Sequence, residues 1–91
     1  MPKTIYRVYR DFGEGYTDDA GFFESRNGAE EFRERELQSL SESYRDQRYV
    51  AVEIVRWERG SKVRAKTQDG NGKSKWYSTC WYKIAEEQLY P

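Results

Sequence analysis

Residues 62–84 read "KVRAKTQDGNGKSKWYSTCWYKI". Two runs with β-strand character, Lys62–Gln68 and Ser74–Ile84, flank Asp69–Gly72. Glycine and asparagine accept the positive φ that tight hairpin turns need, so "DGNG" predicts a hairpin. Immediately upstream, "RYVAVEIVRWER" (Arg48–Arg59) is rich in β-branched residues, and Gly60 offers another turn. The three runs predict an antiparallel C-terminal meander.

Near the N-terminus, "TIYRVYRDF" (Thr4–Phe12) alternates β-branched or aromatic residues with arginine, the period of a strand. "GEGYTDD" (13–19) predicts a loop, and "AGFFES" (Ala20–Ser25) a short second strand that pairs with the first. The one helix signal is "NGAEEFRERELQSLSESY" (Asn27–Tyr44). Asn27 suits the N-cap, and Glu30 stands three residues on, where a capping box needs it. Ala29, Phe32, Leu37, Leu40 and Tyr44 fall within a sector of about 140° at ~100° per residue, the face a surface helix buries. The expected fold is α+β, in β-β-α-β-β-β order: one compact domain over 1–91, with the helix on one face of an antiparallel sheet.

Turn lengths set the register. With Asp69–Gly72 as the loop, Lys66 opposes Lys75 and Arg64 opposes Tyr77. With Arg59-Gly60 as the earlier tip, Trp57 opposes Lys62. One face then gathers Val50, Val52, Ile54, Val63, Ala65, Trp76, Cys80, Tyr82 and Ile84 under the helix. The other carries Trp57, Lys62, Arg64, Lys66, Lys75, Tyr77, Trp81 and Lys83. A slip by one residue would exchange the faces. Arg56 falls on the apolar side and needs an acid or a rim to reach.

The chain has 91 residues, 36% hydrophobic, 35% charged and 16% aromatic. Aromatic side chains bury roughly 150–250 Å² each, enough for a small core in a chain otherwise so polar. Charge is segregated although the net is zero. Residues 11–46 carry eleven acids and four bases, and residues 56–84 carry eight bases and two acids. Such asymmetry points to a polyionic partner or to pairing between the two segments. A single cysteine allows no internal disulfide, and no apolar run is long enough for a membrane span. The expectation is a cytoplasmic protein with no membrane contact.

Histidine is absent, which removes the commonest general base and the usual nucleophilic triads. Cys80 falls mid-strand on the apolar face, where a cysteine acts as a small hydrophobe. Asp18-Asp19 lacks the spacing of a calcium loop, and "GEG" (13–15) lacks the lysine of a phosphate loop. No cofactor, metal or small-molecule substrate is expected, and the chain is taken as a non-enzyme.

Three kinds of surface contact compete. The basic–aromatic face (Trp57, Lys62, Arg64, Lys66, Lys75, Tyr77, Trp81, Lys83) has the residue types of interface hot spots, for a hetero-partner or a homodimer. The same face has cations for phosphates and rings for bases, although a sequence pI of about 6.3 is low for nucleic-acid binding. Its plainer alternative is a surface on which lysine and arginine stems lie over the rings. An acidic surface with Asp18, Asp19, Glu30, Glu31 and Glu34 would instead mimic nucleic acid and inhibit an enzyme that binds it. Here the plainer alternative is a solvated helix, since Arg33 and Arg35 interleave. The preferred expectation is a stoichiometric protein-binding inhibitor or adaptor, a style frequent among phage and mobile-element proteins.

Overall fold

The computed structural model describes residues 2–90. Six antiparallel strands and one helix follow in the order β1 (Lys3–Gly13), β2 (Tyr16–Phe23), α1 (Arg26–Arg45), β3 (Ala51–Trp57), β4 (Gly60–Gln68), β5 (Ser74–Ser78) and β6 (Trp81–Leu89). The α+β class and the position of the helix between the first hairpin and the meander are as the sequence predicts. The sheet order is β2-β1-β6-β4-β3, with β5 also paired to β4.

The expected last strand is two strands. β5 pairs with β4 from Arg64↔Ser78 to Gln68↔Ser74, whereas β6 meets β4 only at Ser61↔Tyr82 and then runs along the whole of β1. Thr79 bridges the break. Its N–H donates to Val63 O at 2.9 Å, and its hydroxyl accepts from Val63 N at 3.1 Å. A side chain thus replaces one ladder acceptor, which lets the strand gain a residue without leaving a buried donor unpaired.

The first hairpin is longer than expected. Its loop is only Glu14-Gly15, and both of these, with Gly13 at the end of β1, have positive φ. Asp18 and Asp19 therefore lie in strand β2, not in a loop. Arg10 Nε donates to Asp18 at 2.7 Å and Arg7 to Asp19 at 2.9 Å across the β1–β2 pair. Cross-strand arginine is what draws these aspartates into the ladder.

The helix begins two residues earlier than predicted. Ser25 is the N-cap, and its hydroxyl accepts from Gly28 N at 3.0 Å. Asn27 lies inside the first turn, so the Asn27–Glu30 capping box does not form. The apolar face is as expected: Ala29 and Leu37 are fully buried, with Phe32, Leu40 and Tyr44 packed at their side. Ser41 joins them, buried with its hydroxyl unpaired. Phe32 lies 5.1 Å from Phe23 of β2, centroid to centroid, and fixes the helix on the first hairpin. The sheet contributes Val8, Val63, Ala65 and Tyr82 to the same core. Arg56, on the helix side of the sheet, ion-pairs with Glu34 of the helix. Val50, expected in the core, precedes β3 and is exposed.

Candidate functional site

The helix covers one face of the sheet, and among the described residues no element covers the other. Direct ladder partners point to the same side, so the registers define this open face. From β3 and β4 it receives Glu53, Val55, Trp57, Lys62, Arg64 and Lys66. From β1 and β6 it receives Arg7, Tyr9, Asp11, Trp81 and Lys83. The parity expected for these strands is therefore correct, although the β3–β4 register is displaced by two residues. The tip is Glu58-Arg59, and Trp57 pairs with Gly60.

Strand β5 is displaced by one residue, and this reverses its faces. Trp76 opposes Lys66 and Tyr77 opposes Ala65. Trp76, expected in the core, belongs to the open face, while Lys75 and Tyr77 turn to the helix side, beyond the helix. The cause is the loop. Asp69 N donates to Lys73 O at 2.9 Å, so the turn is the odd-numbered Gly70-Asn71-Gly72. Asp69 Oδ1 accepts from Asn71 N and Lys73 N, and Gly72 has φ +78°. This is the three-residue hairpin that ends on a left-handed residue, not an even-numbered turn. The extra residue at Thr79-Cys80 then restores the phase, so Tyr82 is buried and Trp81 and Lys83 stay on the open face as expected.

The open face has three tryptophans. Trp57 and Trp81 stack at 4.8 Å between centroids. Lys62 Nζ stands 4.3 Å from the Trp81 ring centre, and the Arg64 guanidinium stands 4.3 Å from that of Trp76. Gly60 makes room for the cluster: a Cβ there would approach Lys83 Cγ at 3.2 Å and Trp81 Cε3 at 3.4 Å. Trp57 remains 65% exposed and Trp76 39%.

Most charges on this face are already paired. Arg64 Nε donates to Glu53 at 2.7 Å, Lys83 to Asp11 at 2.7 Å, and Arg7 is shared between Glu87 and Asp19. The Lys83 ammonium, then the Gly13 N–H, lower the Asp11 pKa below the usual carboxylate range. In return, the Asp11 carboxylate raises that of Lys83. Lys3 pairs with Glu24 at the sheet edge. Among the described residues, that leaves Lys62 and Lys66 as the cations of this face without an ion pair.

The acidic residues do not form one surface. Asp18 and Asp19, adjacent on a strand, point to opposite sides of the sheet and are held by different arginines. Glu34 is held by Arg56, whose guanidinium, with a smaller contribution from Gln38, lowers its pKa. Glu30 and Glu31 are exposed and line a shallow groove of about 480 Å³ with Trp57, where Arg33 and Arg56 also lie. The segregated charges of the sequence thus largely neutralise each other. Among the described residues, five of the eight ion pairs join the acidic 11–46 segment to the three cations of residues 1–10 or to the basic 56–84 segment.

Cys80 is half-buried against the core, and burial pushes its thiol pKa up, away from the reactive thiolate. Among the described residues, no helix is long and apolar enough to cross a membrane. Comparison with protein-family models, with curated proteins and with solved structures finds no match to this chain.

Proposed function

We propose that the protein is a non-enzymatic protein-contact domain, acting as a stoichiometric inhibitor or adaptor, and that the open sheet face is its contact surface. One observation carries this reading: three tryptophans lie on a sheet face that no described element covers, among cations that are mostly neutralised. Tryptophan and arginine with a charge-balanced surround are the composition of a protein interface.

Nucleic-acid binding by the same face is less well supported. It draws affinity from unpaired cations and from free ring faces. Among the described residues only Lys62 and Lys66 of this face lack an acid, and the Trp81 and Trp76 rings are already flanked by Lys62 and Arg64. Nucleic-acid mimicry would need a continuous acidic surface, and arginine interrupts the one formed by Glu30, Glu31 and Glu34.

The test is capture from the native host by the tagged protein, with and without nuclease. The expected bound material is protein that survives nuclease, is lost with Trp76→Glu and is kept with Tyr77→Glu. Material released by nuclease would favour the nucleic-acid alternative. Protein retained equally by both variants would move the contact surface away from the open face.

A further inference from the structure

We infer that the occupant of the open face is a second copy of this chain, packed face to face about a two-fold axis. This rests on the reading of that face as a protein-contact surface, and it names the partner.

Three observations support it. The first is area. A compact protein of 10.9 kDa exposes about 5,600 Å². This chain exposes 6583 Å², an excess of about 1,000 Å², close to the ~800 Å² that each partner buries in a standard interface. The shape agrees: the radius of gyration is 15.9 Å, against about 12 Å for a compact chain of this length. The molecule is a long plate of 61 × 26 × 19 Å.

The second is the distribution of apolar surface. The hydrophobic side chains buried within one copy are few and mostly small among the described residues, with Leu37 and Tyr82 the largest. Of the nine large hydrophobics exposed among the described residues, Phe22, Trp57, Trp76 and Leu89 lie on the open face, from one end of the sheet to the other. A second sheet packed on the first, about 10 Å away, would cover all four and give a helix–sheet–sheet–helix sandwich.

The third is charge. The half of the face built from β1, β2 and β6, with Glu24 at its edge, has three cations (Lys3, Arg7, Lys83) and four acids (Asp11, Asp19, Glu24, Glu87), net −1. The half built from β3, β4 and β5 has Lys62, Arg64 and Lys66 against Glu53, net +2. The two halves meet only at Ser61↔Tyr82, and a two-fold axis in the interface that crosses the sheet there, between them, lays the positive half of each copy on the negative half of the other. Lys62 and Lys66 then face acids that their own chain does not bring to them. An isologous interface of this kind closes at two copies and leaves no repeating contact.

Sedimentation equilibrium of the purified full chain tests the inference, up to about 200 µM, a range that detects even a weak dimer. The expected mass is twice 10.9 kDa. Trp76→Glu should weaken the dimer by at least about tenfold, as loss of a hot-spot residue does. Tyr77→Glu, one residue on and on the opposite face, should leave it within about twofold. Circular dichroism establishes that both variants remain folded. A wild-type monomer throughout the range overturns the inference. So does equal weakening by both variants, which would indicate pairing along the β5 edge. If the wild type is monomeric but still captures a nuclease-resistant host protein through Trp76, the dimer falls and the protein-contact reading stands. If nuclease releases whatever is captured, that reading falls too.

Discussion

Trp76 and Tyr77 are neighbours with opposite fates, and Gly72 decides between them. Its φ of +78° closes a three-residue turn, and an odd turn puts Trp76 beside Lys66. An L-residue in that conformation costs roughly 1–2 kcal/mol. Gly72→Ala should therefore lower stability by about 1 kcal/mol in urea titration, whereas alanine at Gly70, which has ordinary φ and open space around it, should cost little. If the two variants are equally stable, the left-handed turn is not what fixes the register. The composition of "DGNG" shows that a turn is there. It does not show whether the loop is odd or even, because glycine and asparagine serve both kinds.

Among the elements, the helix was the most legible in the sequence. Its buried stripe at Ala29, Phe32, Leu37, Leu40 and Tyr44 follows from the 3.6-residue period, which local geometry imposes whatever the helix packs on. Its start was less legible, because Ser25 and Asn27 are both good caps and the choice depends on where the chain leaves β2. Ser25→Ala should cost about 1 kcal/mol, the usual worth of an N-cap side chain. Asn27→Ala should be neutral or slightly stabilising, since alanine is the better residue inside a helical turn. Thermal melts of the two variants check this, and a larger loss for Asn27→Ala would contradict the Ser25 cap. The strands were legible in number only up to the break at Thr79-Cys80. That break depends on a hydroxyl meeting Val63 across the sheet, a long-range contact with no local signal.

At the scale of the whole molecule, folding brings the segregated charges together. Arg56 with Glu34 ties the meander to the helix. Because the guanidinium lowers the Glu34 pKa, this pair contributes stability that is present above the ordinary glutamate value of about 4.3 and is lost as the pH falls through the lowered one. Both side chains are about half exposed, so the contribution should lie within the roughly 0.2–1 kcal/mol of surface pairs. Arg56→Met should accordingly be less stable than wild type at neutral pH and level with it in acid. Urea titrations at about pH 7 and about pH 3 measure the difference, which should close at the lower pH. A gap that persists in acid would mean that Arg56 acts through packing.

Local sequence pattern is enough for the class of the fold, the order of its elements, the buried stripe of the helix and the face parity of β3, β4 and β6. All of these come from periods of two or 3.6 residues, which backbone geometry imposes locally. It also marked most of the open face, since Trp57, Lys62, Arg64, Lys66, Trp81 and Lys83 lie on it as expected. Long-range packing sets the rest: β6 leaves the meander to pair with β1, Trp76 replaces Tyr77 among the outward rings, and most of the outward cations are already matched by acids. These depend on a one-residue phase and on contacts far apart in the chain, between groups whose local sequences are equally compatible with either arrangement.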